Sequence, residues 1–394
     1  MKISSKSKDP RNLINKFISN KYLCLLYFSL KYKGSIKEKY WFVKNAINAL
    51  RHGVMGFRIG RVAGEFTDAL REQTEMTLEE KWQYCNLGFH PHWKARVGVT
   101  MDNYKDYISY FEFYNGKAYV NNRLIPLFDD KLLTYYALNK WEDHVPNHYF
   151  YVDKGRLCPL DSTEKTNLTW KSVLGLLKQK PLAAKRCHGG HGNGFHKLAY
   201  NDGVILIDDK PCNEKDLEVL IDGMDDYLLT DFVYPSKALQ DVIGEDSFAV
   251  MRVLTTYTPE DGTSVDRMII RLGTKAAGHT QAGYDILYAN IDEEGCLRDT
   301  VYEYSGWHCE KMETHPETHK TVEGFKIEGL SELKEVLIDM ASRLSVAPYL
   351  VWDIIPTDDS FSILEINSHG QLENFERFES LKKNKKLCQL MHLS

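Results

Sequence analysis

The feature that most constrains the fold is a glycine-rich segment, KRCHGGHGNG, at positions 185–194. Apolar segments typical of β-strands flank it, KPLAAKRC before and FHKLAY after. Glycines here let backbone N–H groups approach phosphate oxygens, and a lysine ending the preceding strand adds positive charge. The pattern therefore predicts a strand–loop–strand that binds phosphate. The residues concerned are Lys185, Gly189, Gly190, Gly192 and Gly194.

A zinc site is the alternative interpretation of the same segment. The candidate ligands there are Cys187, His188, His191 and His196. A second candidate set downstream is Cys309, His315 and His319. Ligands as closely spaced as the first set would leave the glycines without a purpose, and the second set lacks a second cysteine. We therefore favour phosphate binding.

Near the C-terminus, WDIIPTDDSFSILEIN predicts a strand, a turn and a strand. Glu365 and Asn367 are two residues apart and so share one face of the second strand, while the turn brings Asp353 alongside. Two carboxylates and an amide oxygen form the hard-oxygen shell that Mg²⁺ takes with nucleotide phosphates. Acidic strand ends in solvent are the alternative, but the apolar neighbours Ile354 and Ile366 favour a functional role.

Composition limits the class of protein. The chain has 394 residues, enough for two or three domains. Its longest apolar run, YLCLLYFSLKY, is too short to cross a membrane. The eight cysteines are scattered and form no CxxC pair, a pattern typical of reduced thiols. We therefore expect a cytoplasmic protein.

Charge is distributed unevenly. Residues 1–60 hold thirteen basic residues against two acidic ones, a net charge of +11, whereas the whole chain carries −5. This basic segment could bind anionic lipid at the inner face of the membrane or a phosphorylated partner, or it could pack on the acidic remainder. We expect no nucleic-acid binding, because the remainder is acidic.

Periodicity predicts the other elements. Apolar residues at helical spacing over 10–85 predict helices. An Asn-Gly turn predicts a hairpin over 110–128, and Asp153-Lys154-Gly155 predicts a second one. The segments FAVMRVLTTY and DRMIIRLGT are predicted to pair, and 331–344 to form a helix that Ser331 caps.

Together these features resemble the ATP-grasp superfamily over about residues 126–375. The segment FDDKLLTYYALNKWEDHVPNHYF is similar to the one that supplies a first ATP-binding lysine, here Lys131, and Lys185 matches the second lysine. YLLTDFVYP resembles the hinge strand, whose residues Asp231, Phe232 and Val233 would hold the adenine. WDI and LEIN resemble the metal-binding strands.

A narrower resemblance is to the ATP-grasp group encoded with sugar-transfer and polysaccharide genes, often called glutamate-ligase-related. It is carried by EDSFAVMRVLTTY, THPET, YLVWDI and LEIN. Many ATP-grasp ligases have an arginine two residues before the first metal aspartate, where this chain has Val351. Arg252 or Arg271 would then supply that cation; the alternative for both is a salt bridge on a strand face.

The resemblance implies an α+β, ATP-grasp fold with a mostly helical N-terminal region. The predicted domains are a basic helical region (1–100), a preceding segment (101–160), a lid subdomain with the glycine loop (161–230) and a C-terminal subdomain with the metal site (231–394). It implies ATP and Mg²⁺ as cofactors, with the metal held by Asp353, Glu365 and Asn367. It also implies a small-molecule or glycan substrate.

The implied activity is ligation of a carboxylate to an amine through an acylphosphate, in cell-surface polysaccharide biosynthesis. Arg252 and Arg271 would steady the intermediates, and His369, in the Asn-Ser-His-Gly segment that would line the acceptor pocket, could act as a base. Two alternatives stay open: a kinase acting on a sugar or glycan, and a non-catalytic nucleotide-binding partner in a glycan assembly complex. The sequence leaves the oligomeric state open.

Overall fold

The computed structural model describes residues 21–56, 58–115, 120–121, 127–128, 130–160, 168–189, 192–245, 247–275, 285–304, 308–368, 370 and 372–393. Its contacts divide the chain into two compact units. The first comprises Met1–Val120 with Leu372–Ser394, and the second comprises Asn121–Gln371. The boundaries of the four domains proposed above stay predictions.

The first unit is helical in its described part, which confirms the prediction of helices up to residue 85 from residue 21 onward. Three of its helices begin at capping boxes, in which Ser35 pairs with Glu38, Thr77 with Glu80 and Ser109 with Glu112. The helices are α1 (Lys21–Lys31), α2 (Ile36–Arg51), α3 (Arg58–Arg71), α4 (Leu78–Leu87), α5 (Trp93–Arg96), α6 (Tyr110–Phe113), α12 (Glu373–Glu376) and α13 (Lys385–Leu390).

Buried glutamates attach the C-terminal residues to this unit. Glu373 accepts hydrogen bonds from Trp93 Nε1 at 3.0 Å and from Arg96 Nη1 at 3.1 Å. Glu376 accepts one from the backbone N–H of Ile108 at 3.0 Å. Because a buried carboxylate needs such donors, these bonds explain why the chain from Leu372 onward belongs with the N-terminal helices.

The hairpin predicted over 110–128 is wrong in its first half, since Tyr110–Phe113 is a helical turn. Ser109 forms a capping box with Glu112, and this local bonding outweighs the strand preference of the aromatic residues. Residues 116–119 and 122–126 lie outside the described residues.

In its described residues, the second unit contains two seven-stranded sheets. The first has the order β2-β1-β7-β3-β4-β5-β6. Its strands are β1 (His148–Asp153), β2 (Arg156–Pro159), β3 (Leu182–Arg186), β4 (His196–Asn201), β5 (Val204–Ile207), β6 (Lys210–Cys212) and β7 (Tyr227–Asp231). Lys154 and Gly155 both have positive φ between β1 and β2, which confirms the predicted hairpin turn.

Two helices cover the apolar side of this first sheet, α8 (Trp170–Leu177) and α9 (Glu214–Asp222). Leu174 and Leu177 of α8 share a buried cluster with Leu182 and Leu198 of the sheet. Burial of leucine side chains contributes about 1.5–3 kcal/mol each, so this cluster holds the strands that flank the glycine-rich segment.

The second sheet has the order β12-β11-β10-β9-β8-β13-β14. The predicted pairing of FAVMRVLTTY with DRMIIRLGT is confirmed as β8 with β9. The strands are β8 (Ala249–Thr258), β9 (Gly262–Gly273), β10 (Ile286–Ile291), β11 (Leu297–Tyr304), β12 (His308–Lys311), β13 (Tyr349–Pro356) and β14 (Phe361–Asn367).

The remaining helices are α7 (Lys131–Leu138), α10 (Lys237–Ile243) and α11 (Leu330–Arg343), and a 3₁₀ segment, Asn139–His144, follows α7. α11 confirms the helix predicted for 331–344. The predicted N-cap is wrong, however, because Gly329, with φ 74°, holds that position in place of Ser331.

The second sheet separates apolar from charged side chains. Along β8, Met251 and Val253 lie in the core cluster that also contains Leu333 and Leu337 of α11. Arg252, between them, points to the other face because successive side chains alternate along a strand. Trp352 of β13 likewise faces the core, and Asp353 faces the opposite side. One face is therefore hydrophobic, and the other carries charge.

Candidate functional site

The glycine-rich segment connects two paired strands, as predicted. Leu182 and Ala184 of β3 pair with Leu198 and His196 of β4. Among the glycines between them, Gly189, Gly192 and Gly194 have φ values of 147°, 69° and 73°, a region that disfavours other residues. Gly190 lies outside the described residues.

Close packing, as well as positive φ, requires glycine at position 194. A Cβ atom at this position would lie 2.6 Å from Tyr227 Oη and 2.9 Å from Arg186 Nε. Arg186 Nε in turn donates a hydrogen bond to Tyr227 Oη at 3.2 Å. The end of the loop thus packs against a pair of side chains from β3 and β7.

His188 fastens the beginning of the loop. Its Nδ1 lies 2.8 Å from an Asp226 carboxylate oxygen, and its Nε2 lies 3.1 Å from Asp130. The Asp226 hydrogen bond raises the pKa of His188. The histidine therefore joins the loop to the residue before β7 and to the residue before Lys131.

The residues of the zinc alternative have other roles in the structure. His188 pairs with carboxylates, His196 Nδ1 lies 2.8 Å from Asp208, and burial raises the pKa of the Cys187 thiol to about 12. His191 lies outside the described residues. In the part of the chain that is described, no three His, Cys, Asp or Glu side chains are placed to share a metal ion.

The two predicted lysines lie in one cleft. Lys131, at the start of α7, donates a hydrogen bond to the carbonyl oxygen of Gly189 at 3.0 Å and lies 3.2 Å from Glu365 Oε2. Burial lowers the pKa of Lys185 to about 8; the Glu365 carboxylate opposes this shift and the charge of Lys131 adds to it. Two cations therefore converge beside the loop.

The walls of the cleft are largely apolar. They come from α7, residues 145–148, β7 and β14, and include Leu138, Val145, His148, Leu228, Thr230 and Ile363. Tyr135 and His148 lie with ring centroids 4.5 Å apart. Burial, together with nearby Lys185, lowers the pKa of His148 to about 4, so this ring is neutral at physiological pH. An apolar cleft that ends in cations suits a flat base attached to phosphates.

The predicted hinge residues lie at the end of β7 and directly after it. The Asp231 carboxylate accepts hydrogen bonds from Asn147 Nδ2 and Tyr149 Oη, both at 2.7 Å, and lies 3.2 Å from Lys180 Nζ. The N–H of Phe232 donates to Pro181 O at 3.1 Å. These bonds fix the end of β7. That Asp231, Phe232 and Val233 contact adenine stays a prediction.

The charged face of the second sheet centres on Asp353. It lies opposite Arg252 of β8 and opposite Glu365 of β14. Arg252 Nε and Nη2 donate to its two carboxylate oxygens, both at 2.9 Å, and Arg271 Nη2 lies 3.4 Å from Oδ2. Burial opposes ionisation of Asp353, but the two guanidiniums outweigh it and hold the pKa of this carboxyl below its ordinary value.

The predicted metal ligands are therefore neighbours, and their chemistry fits Mg²⁺. Glu365 and Asn367 share a face of β14, and Asp353 is the cross-strand neighbour of Glu365. Within the described residues, Asn367 Nδ2 is buried and has no hydrogen-bond partner. A buried polar atom needs a partner, and turning the amide over would present its oxygen there instead. Each site assignment remains a prediction.

Several residues of this region were not singled out from the sequence. Asp130 and Asp226 hold His188, His148 lines the cleft, and Tyr288 is the cross-strand neighbour of Arg271. The sequence could have indicated Asp130, because this residue directly precedes the predicted site residue Lys131. The pairing of Tyr288 with Arg271 depends on strand order, which no local pattern reveals. His369 lies outside the described residues.

Comparison with known families identifies the fold. The sequence model of sugar-transfer associated ATP-grasp proteins matches residues 110–387. None of the curated proteins matches the chain.

Among solved structures, an ADP complex of N5-carboxyaminoimidazole ribonucleotide synthetase is 12% identical, with a TM-score of 0.38; the match covers 69% of this chain and 53% of that one. D-alanine–D-alanine ligase from Coxiella burnetii is 11% identical, with a TM-score of 0.36 and coverage of 68% and 57%. The Bacillus anthracis ligase is 12% identical, with a TM-score of 0.35 and coverage of 69% and 66%. The chain thus spans between about half and two thirds of the length of these proteins.

Proposed function

The chain belongs to the sugar-transfer associated ATP-grasp family, with its α+β fold, and we propose that it is an ATP-dependent ligase joining a carboxylate to an amine. The proposed setting is cell-surface polysaccharide biosynthesis, in which an amino acid or similar group is attached. The family name and the sequence motifs support this setting.

One observation carries the proposal. Lys131 contacts both the glycine loop, through Gly189 O, and the carboxylate of Glu365. The cations suited to a triphosphate therefore lie next to the oxygen ligands suited to its metal. Lys185 completes the arrangement from β3. An ATP γ-phosphate placed there would meet positive charge from three sources: two lysines and the loop N–H groups.

The chemistry proceeds in two steps. The substrate carboxylate attacks the γ-phosphorus, which forms an acylphosphate and releases ADP. The amine then attacks the acyl carbon, loses a proton and displaces inorganic phosphate. Asp353, Glu365 and Asn367 would hold Mg²⁺, which offsets the charge on the transferred phosphoryl group when bound.

Arg252 and Arg271 suit the second part of this chemistry. They lie on the same face as Asp353 and Glu365, and Asp353 holds both guanidiniums in place. Preorganised cations stabilise developing negative charge without the cost of reorientation. A bound acylphosphate and the tetrahedral intermediate both carry such charge. We assign the two arginines to that role.

The test is ³¹P NMR of full-length protein with Mg·ATP, a panel of carboxylates and an amine. ADP and inorganic phosphate in equal amounts, formed with an amide, are expected; hydroxylamine should trap the acylphosphate as a hydroxamate. Glu365→Gln is the matched inactive variant.

Two results contradict the ligase. A phosphorylated acceptor with no free phosphate would establish the kinase. The protein could instead bind ATP but turn over no acceptor, and its Glu365→Gln variant could behave identically. That result would favour a non-catalytic nucleotide-binding partner in a glycan assembly complex.

A further inference from the structure

Helix α1 has two different faces. Cys24 is buried, and Phe28 packs so closely on α3 that a Cβ atom at Gly60 would lie 2.7 Å from its ring. This face attaches α1 to the first unit. On the other face Leu26 and Leu30 are 57% and 76% exposed. With Leu23 and Tyr27 they follow the 23, 26, 27, 30 spacing of a helical stripe.

Helix α2 continues the pattern. Trp41, Phe42, Ala46 and Ala49 are buried. Ile36, 90% exposed, and Tyr40, 64% exposed, lie four residues apart and so share a face. Two consecutive helices thus present large apolar side chains to solvent, where soluble proteins expose such residues singly. We call Leu23, Leu26, Tyr27, Leu30, Ile36 and Tyr40 the apolar stripe.

Lysines surround the apolar stripe. Residues 21–47 contain six lysines and one acidic residue, Glu38, a net charge of +5, so the remainder of the chain carries −10. Arg71 Nε lies 2.7 Å from the Glu38 carboxylate, which neutralises it within the unit. Lys31 and Lys37 lie over the rings of Tyr27 and Trp41 at 5.4 and 4.7 Å. The surface therefore combines apolar area with positive charge.

We propose that the apolar stripe binds an anionic lipid surface, with α1 and α2 lying in the headgroup region. Helices with leucine and aromatic residues on one face and lysines around it are typical of interfacial membrane binding. Among the described residues, no helix is long and apolar enough to span a bilayer. The proposed binding is peripheral, with apolar side chains inserted and lysines near the headgroups.

The combination of apolar side chains and lysines on this surface argues against a protein partner. Lysine is depleted in protein–protein interfaces, whose centres are also poor in charge. A second copy of this chain would bring +5 against +5, and like charges facing each other oppose association. An anionic bilayer supplies opposite charge and an apolar interior, so it matches both properties of the surface.

The test measures binding of the full chain to phosphatidylcholine vesicles with and without phosphatidylglycerol. The parent should float with anionic vesicles at low salt and largely dissociate at about 0.5 M salt, where the Debye length falls to a few ångströms. It should stay in solution with pure phosphatidylcholine. Failure to float with anionic vesicles at low salt overturns the proposal.

Two variants separate the contributions. Leu26→Ser with Leu30→Ser, Ile36→Ser and Tyr40→Ser should weaken partitioning by at least about tenfold. Replacing Lys31, Lys33, Lys37 and Lys39 by Gln should weaken it by roughly a thousandfold, because each lysine contributes about 1 kcal/mol. The matched control is Val219→Ser with Val346→Ser in the second unit, because these side chains are 60% and 65% exposed; it should bind like the parent.

Circular dichroism and thermal unfolding check that the variants fold. If the quadruple apolar variant does not fold, Ile36→Ser alone, at the most exposed position, replaces it in the binding assay. Vesicle binding that survives the apolar substitutions would overturn the proposal. So would sedimentation showing that these substitutions abolish self-association of the parent, since the stripe would then bind a second copy.

Discussion

The two sheets of the second unit place their charged groups differently. In the first sheet His188, Asp226 and Asp231 lie at strand ends and in connections, where side chains are partly exposed. In the second sheet the charges of Arg252, Arg271 and Asp353 lie within strands and are buried.

The difference has a physical consequence. A charge at a strand end keeps part of its hydration and can move with a loop, whereas a charge within a central strand is desolvated and held by its neighbours. The first sheet is therefore suited to closing over a flexible triphosphate. The second is a rigid charged surface, suited to the proposed role of positioning a reacting group. Substitutions should affect ligand binding in the first sheet and stability as well as turnover in the second.

The largest effect is expected at Asp353. Asp353→Asn leaves Arg252 and Arg271 as buried cations without their carboxylate, and breaking such a buried ion pair costs about 3–5 kcal/mol. The free energy of unfolding should fall by that amount in urea titrations. Glu365→Gln is the matched control, because Glu365 is half-buried and its partner Lys131 keeps a second acceptor in Gly189. It should abolish turnover but change stability by less than about 1 kcal/mol. Equal losses of stability in Asp353→Asn and Glu365→Gln would contradict the conclusion that the buried charges of the second sheet stabilise the fold.

The next effect concerns Lys185, whose pKa burial lowers to about 8. The charged form binds phosphate and predominates below pH 8, so ATP affinity should fall as the pH rises through that value. If bound ATP keeps the lysine protonated, the loss between pH 7 and pH 9 is about tenfold, or 1.4 kcal/mol. Isothermal titration calorimetry at several pH values measures it.

Two variants check the assignment to Lys185. Lys185→Arg keeps its charge over this range and should bind with little pH dependence. Lys185→Ala should bind about 1.5–3 kcal/mol more weakly at pH 7. An unchanged ATP affinity in Lys185→Ala would remove this lysine from the site.

The smallest effect is expected in the glycine loop. Gly194→Ala introduces a Cβ atom at positive φ and against Tyr227 and Arg186, so the loop must shift. Gly203→Ala is the matched control: its φ is 88°, but nothing lies within 4 Å of the added atom. Each variant should lose about 1 kcal/mol of stability from backbone strain. Gly194→Ala alone should also lose ATP affinity by a few-fold. Equal affinities would show that the packing of Gly194 is unimportant for binding.

Local patterns predicted much of the second unit. The turn at Lys154 and Gly155, the strands around the glycine loop and the strand pair holding Asp353 and Glu365 each depend on residues close in sequence. Turn chemistry and period-two alternation act over such distances. The helical turn at Tyr110 was missed because a capping box outweighed the strand preference of aromatic residues.

The sequence by itself determined the chemical inventory: the lysines, the glycines and the candidate oxygen ligands, with the short elements that carry them. Tertiary structure alone decided which of these groups meet. Arg252 reaches Asp353 because β8 lies between β9 and β13, an order that skips four strands of the chain. His188 likewise joins Asp130 and Asp226, which are far apart in sequence. Pairings of this kind depend on how whole sheets bury their apolar faces, and the burial of distant segments against one another leaves no signal in any short stretch of residues.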